Sequence, residues 1–298
     1  MSGKKIEIRE VGPRDGFQNL AQFVETEDKK DIIKELFVSG IKSVQITSFV
    51  NPKIIPQMKD AAVIAEFFSE KYPDKDLFAL VPNLYGAKKA FEYGIKKVSF
   101  VISLSESHNK ANINKTHKQS FDELKKIINN VPEIDICVDL ATTFGCPFEG
   151  IPEDEKVLDF IGELINKGIN NICLCDTVGF ANPAQVRKIV LACQEKYPEC
   201  VFEVHIHDTR GMGLACTLAA IECGITNVQS TIGGLGGCPF APGASGNTAT
   251  EDLVYMLNQM GYNTGVDFEK LLLLAKKVKT NIPGNYSGHH IYIGKSEV

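Results

Sequence analysis

The sequence predicts a (β/α)8 TIM barrel, and three observations support that fold class. Short runs rich in Val, Ile and Phe recur along the chain at intervals of roughly 25 to 35 residues. An amphipathic helical pattern follows most runs, which is the order expected when parallel strands are joined by helices. The 298 residues contain no linker-like change in composition. Eight repeated units in an uninterrupted chain favour one closed barrel.

The predicted elements follow one another in a regular order. The strand runs cover residues 6–11, 43–49, 77–83, 97–103, 135–142, 171–177, 202–208 and 227–234. The clearest helical patterns cover 28–40, 87–94, 121–130, 155–168, 184–198 and 213–224, and several end in the glycine expected just past a helix. One more helical pattern begins after Asp267. We therefore expect a barrel domain at residues 1–266 and a helical extension at 267–298 that packs on it.

Composition predicts an ordinary globular protein of the cytoplasm. The net charge is −5, and Lys and Arg form no block, which argues against nucleic acid or an anionic membrane as a partner. No apolar run approaches the roughly 20 residues of a membrane span. The N-terminal segment lacks the apolar core of a signal peptide.

The nine cysteines are best explained as buried thiols. Their number is odd, and most lie within apolar strand or helix patterns, as expected in a reducing compartment. Cys173 and Cys175 lie two apart on one predicted strand, so both thiols face the same way, a spacing that also suits a metal ion. Beside an aspartate on an apolar strand, however, the sequence favours core packing for this pair.

Polar side chains gather near the ends of the predicted strands, where TIM barrels carry their chemistry. Two residues apart on the seventh strand, His205 and His207 point to one face, although an isolated pair of this kind is more often hydrogen-bonded than metal-bound. Within the barrel, a divalent metal site is predicted from four ligands: Asp15, His205, His207 and Asn247. Oxygen ligands beside only two imidazoles favour Mg²⁺ or Mn²⁺, and zinc or cobalt stays open.

Several motifs at these strand ends carry a family resemblance. They are GPRDGFQN, TSFVNPKIIPQM, GCPFEG, CDTVG, VHIHDT and GLGGCPFAPGASGN. Over about residues 6–265 the chain resembles 3-hydroxy-3-methylglutaryl-CoA lyase. The resemblance implies a homodimeric, divalent-metal-dependent carbon–carbon lyase. Its reaction is retro-Claisen cleavage of a 3-hydroxy-3-methylacyl-CoA to acetyl-CoA and a keto acid, which is acetoacetate when the substrate is 3-hydroxy-3-methylglutaryl-CoA.

The resemblance also implies roles for individual residues. Arg14 stabilises the enolate, and the four predicted ligands hold the metal. Cys238 is a loop thiol near the proton transfer, although the sequence alone favours a structural thiol there. Asp176 supports the surroundings of the metal, and His205 can double as a proton shuttle. Asn112 lies near the CoA site, although a stretch this polar is more often a plain solvated loop.

The chain departs from the family in its acyl pocket. Gln45 stands where the family has Glu, Cys137 and Asp139 where animal lyases have Arg and Tyr, and Cys173 where they have Ser. Three explanations compete: a different 3-hydroxyacyl-CoA, the usual substrate with a weakened pocket, and a catalytically impaired relative. Outside the lyases, a Claisen-type acyl-CoA synthase and a non-catalytic metal-binding barrel are the alternatives.

Overall fold

The computed structural model describes residues 3–237 and 246–294. Eight parallel strands close into a barrel in chain order, which confirms the predicted TIM barrel. The strands are β1 (Glu7–Glu10), β2 (Ser43–Ser48), β3 (Asp76–Leu80), β4 (Lys97–Ser103), β5 (Asp135–Ala141), β6 (Asn171–Asp176), β7 (Val201–Ile206) and β8 (Asn227–Ser230). Each lies within or beside a predicted run. Most end earlier than predicted, because the last residues of those runs leave the sheet and begin the loops of the rim.

Helices surround the barrel. Those in the described ranges are α1 (Thr26–Val38), α2 (Ala61–Lys71), α3 (Leu84–Glu92), α4 (Glu106–Ile113), α5 (His117–Asn130), α6 (Asp154–Ile165), α7 (Pro183–Lys196), α8 (Gly213–Glu222), α9 (Thr250–Gln259) and α10 (Phe268–Asn281). The predicted helical patterns correspond to α1, α3, α5, α6, α7, α8 and α10. Within the described ranges, no helix is long and apolar enough to cross a membrane.

The two faces of the strands differ in polarity. Outward-facing residues such as Ile8, Val44 and Val98 are buried against the helices and form the main hydrophobic core. Inward-facing positions, two residues apart, carry polar side chains such as Arg9 and Gln45 that are also buried. A barrel interior of this kind requires partners for each polar group, because an unpaired buried one destabilises the fold.

Arg9 contacts several of the other side chains that point into the barrel. Its guanidinium forms an ion pair with Glu203, and its Nε donates to Ser43 Oγ at 3.1 Å. The same group lies over the Phe78 ring, 4.2 Å from its centroid, and 3.8 Å from Asp76 Oδ2. The ion pair between Arg9 and Glu203 therefore links β1 to β7, two strands that are far apart in the sequence.

The chain after α10 returns to the rim above β8. Ser287 Oγ donates to the Asn247 carbonyl at 2.6 Å, and Gly288 N donates to the Gly233 carbonyl at 3.0 Å. Asp252 on α9 accepts the backbone N–H groups of His289 and His290 at 2.7 and 3.0 Å. The C-terminal segment therefore supports the loop that presents Asn247.

Candidate active site

Arg14 and Asp15 lie on a tight π-helical turn, Gly12–Gly16, directly after β1. The turn passes so close to the strand that a Cβ atom at Gly12 would lie 2.5 Å from Glu10 Oε1. Glu10 is fully buried and accepts hydrogen bonds from Gly12 N at 2.7 Å and Ile232 N at 2.9 Å. This carboxyl group fixes the turn after β1 to the turn after β8, and so fixes the direction of the Arg14 and Asp15 side chains.

His205 and His207 stand at the end of β7 on the same face, as their spacing predicts. Their Nε2 atoms lie 3.1 Å apart, and His205 Nε2 lies 3.9 Å from Asp15 Oδ2. Ligand atoms of Asp15, His205 and His207 all fall within 4.8 Å of one another. The structure therefore brings these three predicted ligands together.

Asn247 completes the group from the loop before α9. Its Nδ2 donates to Asp15 Oδ2 at 2.9 Å and to the Leu235 carbonyl at 3.3 Å. Its Oδ1 is buried and has no hydrogen-bond partner among the described residues. Leaving such an acceptor unpaired costs roughly 1–3 kcal/mol, so the amide is suited to receive a ligand.

The surroundings of Asp15, His205 and His207 favour the deprotonated form of each side chain. Burial alone raises the pKa of Asp15, but Arg14 and the two imidazoles outweigh it and bring the value to about 2. Burial lowers the pKa of His207 to about 3, helped by the neighbouring His205, and burial also lowers the pKa of His205. At neutral pH the site therefore offers a carboxylate and two neutral imidazoles, the forms that bind a cation.

Gln229 on β8 orients one of the imidazoles, and sequence reasoning missed it. His205 Nδ1 lies 3.1 Å from Gln229 Oε1, and Gln229 Nε2 lies 3.4 Å from Glu203 Oε2. Because the amide oxygen can only accept, Nδ1 carries the proton and Nε2 presents its lone pair to the site. The available signal was the alternation of β8, which turns Gln229 into the barrel beside His205.

These residues fit a divalent ion. Two imidazole nitrogens and a carboxylate oxygen converge, an amide oxygen lies unpaired beside them, and an outer amide fixes the tautomer of one imidazole. This donor set suits a divalent metal with water or substrate at the remaining positions.

Two other predicted residues lie in the described part of the chain. Asp176 is buried at the end of β6, but its oxygens accept from Phe180 N at 2.8 Å and Ala181 N at 3.0 Å, so it shapes the turn after β6. The predicted support of the metal by Asp176 stays a prediction. Asn112 is exposed on α4. Cys238 lies outside the described residues.

Gln45 belongs to a chain of hydrogen bonds beside the site. Gln45 Oε1 accepts from Arg14 Nε, and Gln45 Nε2 donates to Ser99 Oγ at 3.1 Å. Burial raises the pKa of the Asp139 carboxyl to about 6, and Arg14 and Ser99 oppose that effect. The other end of Arg14 donates from Nη1 to Asp15 Oδ1 at 2.5 Å. Arg14 and Ser99, the two partners of Gln45, thus also act on the charge of Asp139.

Comparison with known proteins points to one family. The HMGL-like family model matches residues 5–278. The chain is similar to hydroxymethylglutaryl-CoA lyase YngG of Bacillus subtilis, with 42% identity over 98% of each protein. It is 40% identical to the human mitochondrial hydroxymethylglutaryl-CoA lyase over 90% of this chain and 83% of that protein. The structure of an HMG-CoA lyase from Acinetobacter baumannii, in complex with coenzyme A and 3-methylmalate, superposes with a TM-score of 0.92 and 37% identity, covering 99% of this chain and 97% of that one.

Proposed function

The chain belongs to the HMGL-like family, and from that premise we propose that it is a carbon–carbon lyase acting on a 3-hydroxy-3-methylacyl-CoA. The reaction is a divalent-metal-dependent retro-Claisen cleavage to acetyl-CoA and a keto acid. If the substrate is 3-hydroxy-3-methylglutaryl-CoA, the keto acid is acetoacetate. The CoA bound to the Acinetobacter relative supports an acyl-CoA substrate.

The observation that carries this proposal is the convergence of the ligand atoms beside the Arg14 guanidinium. Asp15 Oδ2, His205 Nε2 and His207 Nε2 face one another, and the unpaired Asn247 Oδ1 belongs to the same group. We assign Mg²⁺ or Mn²⁺ to these residues. When bound, such an ion lowers the pKa of the substrate hydroxyl and neutralises its charge after deprotonation.

Arg14 is the residue best placed to stabilise the enolate. As the C2–C3 bond breaks, its electron pair moves into the thioester, and negative charge develops on the thioester oxygen. Arg14 uses one N–H for Gln45 and one for Asp15, which hold the guanidinium in a fixed orientation while its remaining donors stay available for that oxygen. A donor group that is fixed before the reaction needs no reorganisation when the charge appears.

Two protons must move during the cycle. The hydroxyl proton leaves the substrate, and a second proton reaches the enolate carbon to form the acetyl group. We propose His205 as a metal ligand only, because Nε2 faces the ion site and Nδ1 donates to Gln229, which leaves no nitrogen free to accept the first proton. We propose Cys238 as the donor of the second proton, on the strength of the family resemblance. A CoA site near Asn112, a homodimer and a cytoplasmic location stay predictions, as does the division at residue 266.

The test is acetyl-CoA release from a panel of 3-hydroxy-3-methylacyl-CoA esters. We expect exhaustive chelation to abolish turnover and Mg²⁺ or Mn²⁺ to restore it. The variant His207→Ala should lose both turnover and Mn²⁺ binding, whereas His117→Ala, on the outer helix α5, should keep both. Full activity in metal-free protein, verified by elemental analysis, would contradict the proposed site.

A different acyl group is the second candidate, and the pocket network favours it. Gln45 is bonded to both Arg14 and Ser99, so this departure from the family forms part of an ordered arrangement. These contacts are better explained by a pocket reshaped for another acyl group than by the simple loss of a glutamate.

A further inference from the structure

A second group of metal-binding atoms lies inside the barrel on β5 and β6. It consists of Asp139, Cys173 and Cys175, whose ligand atoms all lie within 4.8 Å of one another. All three side chains are buried. The group shares no ligand with the site formed by Asp15 and the two histidines. The cysteine spacing alone favours core packing, but the structure adds a carboxylate from the neighbouring strand, where Asp139 pairs in register with Cys173.

The separation of the two thiols matches what a tetrahedral ion requires. Cys175 Sγ lies 3.8 Å from Cys173 Sγ. Two sulfur atoms that each lie about 2.3 Å from a tetrahedral zinc ion are separated by roughly 3.8 Å. The thiols therefore need little movement to bind one ion together.

Asp139 supplies an independent indication of a ligand. Its Oδ1 is buried and has no hydrogen-bond partner among the described residues, and the whole residue is only 5% exposed. An unpaired buried carboxylate oxygen is costly unless a donor or a cation occupies the space beside it. A cation held with Cys173 and Cys175 meets that need.

We propose that Asp139, Cys173 and Cys175 form a second metal site, selective for sulfur-binding divalent ions such as Zn²⁺. Two thiolates exclude Mg²⁺ as the preferred ion, because hard cations bind oxygen. Three protein ligands leave the fourth position of a tetrahedral ion open. The site does not depend on the proposed lyase reaction.

The surrounding positive charges would stabilise a metal ion bound at this site. A divalent ion with two thiolates and one carboxylate has a net negative charge, and the guanidinium groups of Arg14 and Arg9 act on Asp139 in the opposite sense. Burial raises the pKa of Cys173 well above its ordinary value. The hydrogen bond to Cys173 lowers the pKa of Cys175, but burial outweighs it and the pKa is raised. An ion must therefore displace both protons on binding. Binding is therefore expected to strengthen as the pH rises.

The experiment titrates the reduced, metal-free full-length protein with Cd²⁺ in excess Mg²⁺. Cadmium bound to thiolate gives a near-ultraviolet charge-transfer band, and we expect that band in the wild type and its loss on competition with Zn²⁺. The double variant Cys173→Ser/Cys175→Ser should lack it. The double variant Cys193→Ser/Cys216→Ser removes two buried thiols from α7 and α8 and should retain it. Cys238→Ser should retain it as well.

Two further variants keep the outcome interpretable. Asp139→Asn preserves volume, and the loss of a direct ligand should weaken Cd²⁺ binding at least about tenfold, since even outer residues contribute that much. His205→Ala/His207→Ala should keep the cadmium band while losing Mn²⁺ binding. No band in the wild type, or a band that survives in Cys173→Ser/Cys175→Ser, overturns the second site. A wild type that shows the band but binds no Mn²⁺ contradicts only the proposed lyase site.

Discussion

At the scale of the residue, the site depends on partners that hold each functional group in one orientation. Gln45 and Asp15 fix the Arg14 guanidinium, and Gln229 fixes the tautomer of His205. Each of these contacts is a single hydrogen bond. Their effects on function are therefore separable by substitution.

Arg14→Met tests the proposed stabilisation of the enolate. The substitution keeps an unbranched side chain but removes the charge that acts in the transition state, so we expect kcat to fall roughly a hundredfold or more with a smaller change in KM. Steady-state kinetics of thioester cleavage measure both. Arg187→Met, at an exposed ion pair with Glu222, is the matched control and should leave both constants unchanged. A rise in KM alone would mean that Arg14 only binds substrate.

Gln229→Leu tests the orientation of His205. Leucine cannot accept a hydrogen bond from Nδ1–H, so the imidazole loses the contact that presents Nε2 to the ion. The affinity for Mn²⁺ should therefore fall about 10- to 100-fold. Calorimetric titration with Mn²⁺ measures this without reference to activity. Gln194→Leu on α7 serves as the control. Unchanged Mn²⁺ affinity in Gln229→Leu would show that packing alone orients His205.

At the scale of the element, the loop before α9 and the C-terminal segment hold each other in place. Glu251, in the first turn of α9, accepts from Gly233 N at 2.9 Å and is fully buried. Burial raises its pKa to about 8. Its neighbour Asp252 accepts hydrogen bonds from the backbone N–H groups of His289 and His290. The first turn of α9 therefore contacts both the turn after β8 and the C-terminal segment.

Glu251→Gln should change how stability depends on pH. Because the folded pKa lies above the unfolded value of about 4.3, the contribution of Glu251 is fully present below that pH and is lost as the pH rises toward about 8. The loss is on the order of a few kcal/mol. Glutamine keeps the acceptor for Gly233 N and does not ionise, so the variant should gain stability over wild type between pH 5 and about 8. Denaturant unfolding across that range measures it, with exposed Glu163→Gln as control. Parallel pH profiles would contradict the argument.

The elements and the site differ in how far the sequence predicts them. Alternating strands and periodic helices are local patterns, and so are the two histidines on one face of β7. Helix α4 escaped prediction because its sequence has almost no apolar periodicity, and it forms where Ser105 caps its first turn. Gln229 and Glu203 escaped because their importance arises from contacts with His205 and Arg9, and pairings between distant strands leave no local pattern.

At the scale of the whole molecule, polar side chains from several strands are hydrogen-bonded to one another inside the barrel. Arg14 Nε donates to Gln45 Oε1, and Gln45 Nε2 donates to Ser99 Oγ. Arg14 and Ser99 also lower the pKa of Asp139 against the effect of burial. These residues come from the turn after β1 and from β2, β4 and β5. A hydroxyl has a single proton to donate, so Ser99 can serve one carboxylate fully but not two. Gln45 and Asp139 are therefore matched across the barrel, and changing one alone disturbs the other.

Gln45→Glu distinguishes a reshaped pocket from a weakened one. In a reshaped pocket the added carboxylate competes with Asp139 for the Ser99 proton and adds a buried charge that nothing compensates, so cleavage of the true substrate should fall. Wild-type cleavage of 3-hydroxy-3-methylglutaryl-CoA should then be weak, and the single variant should not improve it. The double variant Gln45→Glu/Asp139→Asn removes the competing carboxylate and should recover folding stability. Gln119→Glu, in the exposed cap of α5, controls for the added charge. Wild-type kcat of about 10 per second or more on 3-hydroxy-3-methylglutaryl-CoA would defeat the reshaped pocket, whereas weak activity raised strongly by Gln45→Glu would favour the usual substrate in a weakened one.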